Sequence, residues 1–164
     1  MCKMIYLASD TKLPLIPINN VDFDSDQVME FDSELDMVTG IYIEELSESE
    51  QVVRKHFTKR FVYNAYTYQG CGCRFGFYFE DEITEAAKEV LIICKKCTEL
   101  LFQYIRENVA AGEVLEIYCC GAGAEHLDRD TDRDREIELS SFEIGDDFDF
   151  EERQLTRVFR AVSK

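Results

Sequence analysis

Seven cysteines stand in a chain of 164 residues, and their spacing sets what chemistry they could do. Gly70-Cys71-Gly72-Cys73 places two thiols on a stretch where glycine lets backbone or ligand approach closely. A C-x-C pair can chelate a soft metal ion such as zinc, although structural zinc sites more commonly use paired C-x-x-C units. Cys2 joins the pair if the first strand runs antiparallel beside residues 61–68. The alternative is that glycine shapes a turn and the cysteines pack as small apolar side chains. Cys71 and Cys73 are expected to be the most reactive thiols, because a glycine turn cannot bury both and Arg74 favours thiolate.

A second, less favoured group is His56, Cys119, Cys120 and His126. Its ligand types suit a metal, but neighbouring residues on a strand point to opposite faces, so Cys119 and Cys120 cannot hold one ion unless the strand has ended. Cys94-Lys95-Lys96-Cys97 has redox spacing. It falls inside a long helical pattern on the apolar stripe, whereas a redox pair belongs at a helix start where the dipole lowers thiol pKa. Core packing is expected for both.

Other signatures fail on inspection. Asp128, Asp130, Asp132 and Asp134 alternate as in a calcium loop, yet the sixth and twelfth positions hold Arg133 and Leu139 instead of Gly and Glu. The interleaved Arg129, Arg133 and Arg135 suggest a self-neutralising loop. Asp22, Asp24 and Asp26 fail the same test. No G-x-S-x-G, phosphate-binding glycine loop or H-E-x-x-H occurs, and Gly121-Ala122-Gly123-Ala124 lacks the third glycine of a dinucleotide site. The reading leans away from an enzyme.

These residues need elements to position them. Residues 2–8 read as a buried strand and 37–46 as another. Ser47 and Glu50 form a capping box that starts a short helix to about Phe57. Residues 61–68 and 74–80 alternate around aromatics with a hairpin turn at 69–73. Residues 82–109 are the clearest helix, with Ile83, Ala87, Val90, Cys94, Cys97, Leu101, Tyr104 and Ile105 at helical spacing and Gly112 beyond its end. Strands follow at 114–120 and 137–144, and 155–162 is open between strand and helix.

From 37 to 120 the order is therefore β-α-β-β-α-β, the ferredoxin-like split unit, with extra strands at both termini. The expected architecture is α+β, a single two-layer domain over 1–164, with irregular acidic segments at 11–36 and 121–135. In that topology Cys71 and Cys73 lie a strand length, about 20 Å, from Cys119 and Cys120.

Charge narrows the partners. The chain carries 34 acids against 18 Lys and Arg, a formal charge of −16. Residues 20–50 hold eleven acids and no base, and residues 125–153 are net −9. Nucleic acid and anionic membranes are poor partners for such a chain, whereas a basic protein is electrostatically easier to accept. Arg54, Lys55, Lys59 and Arg60, around His56, could bind an anion, but cations ending a helix and pairing with nearby carboxylates are the favoured reading. Hydrophobic content of 46% predicts a folded chain. An odd number of cysteines without an export signal predicts reduced thiols in the cytoplasm.

Cys2 to Leu13, CKMIYLASDTKL, followed by Pro14, together with QGCGCRFGF at 69–77, resemble a group of small uncharacterised bacterial proteins. The resemblance implies a bacterial cytoplasmic origin and no activity. Two functional expectations follow. The first is a non-catalytic binding or regulatory module, of an immunity type, that engages a basic protein through its acidic segments. The second is a thiolate metal-binding or redox site centred on Cys2, Cys71 and Cys73.

Overall fold

The central strand explains why its own sequence alternates poorly. In the computed structural model, which describes residues 2–18, 40–68, 70–76 and 84–163, β1 (Lys3–Ser9) lies in the middle of a mixed sheet. Ile5, Tyr6, Leu7 and Ala8 are all fully buried, because elements cover both faces of this strand. A strand buried on both sides has no polar face to alternate with.

The other strands are β2 (Ile41–Glu45), β3 (Phe61–Thr67), β4 (Val114–Gly121), β5 (Arg135–Glu138) and β6 (Gln154–Phe159). Their spatial order is β2-β3-β1-β4-β6-β5, antiparallel throughout except for the parallel edge pair β5 and β6. The fold class is α+β, as the sequence predicts.

The ferredoxin-like order is not the one observed. In a split βαβ unit the strands joined by the first helix are parallel, with another strand between them. Here β2 and β3 pair directly and antiparallel, with Ile43 opposite Ala65. Their connection is a nine-residue 3-10 helix, Glu48–His56, where the capping box predicts a short helix. Such a piece reverses the chain without carrying it over a neighbouring strand. The Ser47 N–H donates to Glu50 Oε2 at 2.8 Å, the capping-box bond that fixes the helix start. Of the expected strand at 74–80, Gly76 forms an isolated bridge with Asp149, and 77–80 lie outside the described residues. Residues 19–39, which hold most of the first acidic segment, lie outside them too.

The two-layer expectation also needs correction. Ile5, Leu7, Ile43, Ala65, Leu115, Ile117 and Cys119 share one buried cluster with the long helix α1 (Glu85–Asn108). Tyr6, Ala8, Val62, Tyr118, Cys120 and Leu155 form another on the opposite face, closed by Val53 of the 3-10 helix and by Phe57. Two helices therefore cover opposite faces. Within α1, Cys94, Cys97, Leu101 and Ile105 are buried as predicted, but Val90 is 37% exposed, because burial along the helix begins at Cys94. Thr84 Oγ1 accepts from Ala87 N at 3.2 Å, which caps the helix start. Gly112, at φ +82°, turns the chain towards β4 beyond the helix end.

At the carboxyl side, the strand expected over 137–144 is the shorter β5, and the ambiguous 155–162 segment resolves as β6. Most of the loop between β4 and β5 is irregular, with one 3-10 turn at Thr131–Arg133.

Candidate metal centre

Strand direction decides which sulfurs can meet. Because β3 runs antiparallel to β1, its last residue, Thr67, ends beside the start of β1. The turn that follows is tied back on itself: Gly70 N donates to Thr67 O at 2.8 Å, and Thr67 N and Oγ1 both donate to Cys71 O, at 3.0 and 3.1 Å. Gly72 N then donates to Lys3 O at 2.7 Å, which docks the turn onto the first strand. This approach requires glycine. A Cβ at position 72 would lie 2.6 Å from Ile5 Cγ1, well inside carbon contact distance. Phe75, fully buried, anchors the far side of the turn.

The docking brings Cys2, Cys71 and Cys73 together, with all three Sγ atoms within 4.8 Å of one another. Cys2 is positioned through its carbonyl, which accepts from Ala122 N at 2.8 Å. Cys73 Sγ accepts the Lys3 backbone N–H at 3.1 Å. Cys71 is buried, while Cys2 and Cys73 are exposed.

Three sulfurs bonded to one ion at about 2.3 Å sit about 3.8 Å apart in tetrahedral geometry and about 4.0 Å apart in trigonal geometry. Side-chain rotation covers the remaining distance. Among the described residues the group has three members, so it offers a three-thiolate set with room for a further ligand. A cavity of about 140 Å³ opens beside Cys2 and Lys3, lined also by Cys119, Cys120, Gly121 and Glu152.

The two turn thiols are electrostatically distinct. Burial pushes the Cys71 thiol up to about 11, and the hydrogen bond it gives to Cys73 adds to this. Burial also opposes ionisation of Cys73, but hydrogen bonds from Cys71, from the Lys3 N–H and from Cys2 outweigh it, so this thiol lies below the ordinary value. The turn leaves one of the two unburied, as expected, but Cys71, expected among the most reactive thiols, is buried and raised, so the two turn cysteines are opposites. The influences that lower Cys73 come from Cys71, Cys2 and Lys3 rather than from Arg74; the Arg74 guanidinium acts on Cys94, whose thiol burial nevertheless raises.

The predicted distance of about 20 Å between the turn and Cys119 and Cys120 is overturned. Strands β3 and β4 both run antiparallel to β1, so both end where β1 begins, with Cys119 opposite Ile5 and Cys120 opposite Met4. Nearness does not make them part of the cluster. Cys119 packs towards α1, 3.6 Å from Phe150 O, and Cys120 faces the other side of the sheet. The rest of the second group is not assembled either. His56 is buried, stacked on Tyr118 at 4.1 Å, with Nε2 2.8 Å from Glu125 O, whereas His126 is exposed.

The charged motifs resolve as structural. Arg129 pairs with Asp134 at 3.2 Å and Arg133 with Asp130 at 3.1 Å within the loop, as its alternation suggests, and Lys55 from outside pairs with Asp128 at 3.3 Å. In the basic stretch, Lys59 pairs with Asp10 at 2.9 Å and Arg54 donates to Gln51 Oε1 at 2.6 Å.

The contribution of Lys3 could not be found from sequence, because it is a backbone donor whose place depends on strand register. Comparison of the chain with family models, with curated proteins and with solved structures finds no match.

Proposed function

We propose that the protein binds a thiophilic metal ion, zinc first among them, through Cys2, Cys71 and Cys73. The observation that carries this reading is the convergence of three Sγ atoms within 4.8 Å, drawn from two segments that are 69 positions apart in sequence. Supporting it are the hydrogen bonds that lower the Cys73 thiol and the steric requirement for glycine between the two turn ligands. Metal binding would draw the thiol protons off the three ligands, as thiolate ligation requires. Reduced thiols in a bacterial cytoplasm are the setting this function needs.

The competing reading, a non-catalytic module that engages a basic protein, draws on the net charge of −16. In the described loop, Asp128, Asp130 and Asp134 already hold internal cations, which leaves that reading with less to support it. The deciding experiment is elemental analysis of protein purified under reducing conditions without added metal, followed by zinc titration. One zinc per chain, lost in the Cys2→Ser, Cys71→Ser, Cys73→Ser triple variant, is expected. A folded wild-type protein that takes up no zinc at micromolar concentration overturns the proposal.

A further inference from the structure

We infer that the same cluster is a peroxide-oxidised site, in which Cys73 takes the oxygen and Cys2 closes a Cys2–Cys73 disulfide that removes two of the three metal ligands. The inference rests on the three-thiol reading for its effect on metal, and on the sulfur geometry alone for the bond.

Exposure selects the two reacting sulfurs. Cys2 and Cys73 are exposed, whereas Cys71, Cys94, Cys97, Cys119 and Cys120 are buried, so an oxidant arriving from solvent meets two of the seven thiols. Position selects the product. These two sulfurs lie within 4.8 Å, and their segments are already joined by the backbone bond from Gly72 N to Lys3 O at 2.7 Å and by the bond from Lys3 N to Cys73 Sγ at 3.1 Å. A bond between them therefore needs side-chain rotation and leaves the strand pairing in place. Cys71 is the poorer partner, because the residue is 7% exposed and its carbonyl is fixed by two donors from Thr67.

The oxidant is hydrogen peroxide. Its O–O bond breaks as the Cys73 sulfur forms a bond to one oxygen, and the other oxygen leaves as water with the thiol proton, giving a sulfenic acid. The Cys2 sulfur then attacks the Cys73 sulfur. The S–O bond breaks, and the hydroxyl leaves as a second water with the Cys2 proton. Both sulfurs are oxidised and one peroxide is reduced. A chelate that has lost two ligands holds its ion far more weakly, so the metal leaves.

The test uses the full chain, reduced and metal-free, treated with hydrogen peroxide, alkylated and mapped by mass spectrometry. The linked Cys2–Cys73 peptide is expected as the first product. Cys2→Ser should leave a sulfenic acid on Cys73 that a dimedone probe traps, and Cys71→Ser should still give the Cys2–Cys73 link. A first link through Cys71, or oxidation of a helix or β4 cysteine before Cys73, overturns the inference. Far-ultraviolet circular dichroism of each variant confirms that it is folded. Zinc-loaded protein, followed with a zinc-sensing dye, separates the two readings. Disulfide formation in a protein that never binds zinc defeats the metal reading and leaves the bond standing, whereas zinc binding with no disulfide defeats this inference alone. Zinc retained after the disulfide has formed overturns the release.

Discussion

Gly72→Ala perturbs the three-sulfur cluster without touching a ligand. The added methyl would sit 2.6 Å from Ile5 Cγ1 and 3.2 Å from both Ile5 Cβ and Ile5 N. An ordinary carbon contact is about 3.5–4.0 Å. Ile5 cannot yield, since it is fully buried in the central strand and paired on both sides, with Ala65 and Cys119. The turn must move instead, which strains the 2.7 Å bond from Gly72 N to Lys3 O and carries Cys71 and Cys73 away from Cys2. Overpacking of this kind costs about 1–3 kcal/mol. At about 2.1 cal/mol/K of unfolding entropy per residue, that loss lowers Tm by roughly 3–9 °C for a chain of this length. The effect on metal is separate. Each 1.4 kcal/mol or so of lost chelate geometry weakens zinc about tenfold, so the rise in Tm that zinc gives the wild type should shrink in the variant. Thermal melts with and without zinc, with a competing chromophoric chelator for affinity, read both numbers. Gly70→Ala is the control. Nothing lies within 4 Å of a Cβ there, but the φ of +77° strains any other residue, so this variant should lose stability with little change in zinc affinity. Wild-type Tm and wild-type zinc affinity in Gly72→Ala would refute the reasoning.

Three further outcomes test other parts of the fold. Thr98 Oγ1 accepts Gly76 N at 2.9 Å and donates to Cys94 O at 2.7 Å in full burial. Thr98→Val should strand the Gly76 N–H and cost about 1–3 kcal/mol in urea unfolding. Glu116, 1% exposed, accepts Thr58 N at 2.8 Å and Thr58 Oγ1 at 2.7 Å. Glu116→Ala leaves both donors unmatched, and a loss of about 2–3 kcal/mol is expected by the same assay. Burial holds His56 below its ordinary value, with Lys55 and Arg129 acting the same way against the Glu125 carbonyl. Its folded pKa is lower than its unfolded one, near 6.5, so its contribution is complete above about that pH and is lost as pH falls below it. The Tm drop between about pH 7.5 and 5.5 should therefore be smaller in His56→Gln, and an equal drop in both proteins would count against the assignment.

The elements that can be read from sequence are those whose signal is local. The α1 seam of Cys94, Cys97 and Leu101, the capping box at Ser47 and Glu50, and the turn at Gly70–Cys73 each depend on spacings of a few residues. Strand neighbours depend on register between distant segments, and there the sequence misleads. A helix between 47 and 57 suggests a crossover, but a nine-residue 3-10 piece only returns the chain beside itself, so β2 and β3 pair directly. The wrong end given to Cys119 and Cys120 has a separate source: 74–80 reads as a strand that the long helix joins in parallel to 114–120, whereas β4 runs in the same direction as β3. The dependence of Cys2 on an antiparallel β1 and β3 is legible as a condition, and the register meets it. What no spacing could show is that Cys71 and Cys73, separated by one glycine, differ so much in burial and acidity.

The central place of β1 has a consequence for synthesis. Its neighbours are β3, more than fifty residues later, and β4, more than a hundred residues later. At about 5–20 residues per second, a nascent chain presents this largely apolar strand to solvent for roughly 5–20 s before its second partner has been translated. Through that interval Ile5, Tyr6 and Leu7 have one edge unpaired, the condition that invites chaperone capture or strand exchange with another growing chain. Pairing with β3, and the docking of the glycine turn on Lys3, complete one edge while β4 is still being made, and Cys2 gains its bond from Ala122 only once β4 has been translated.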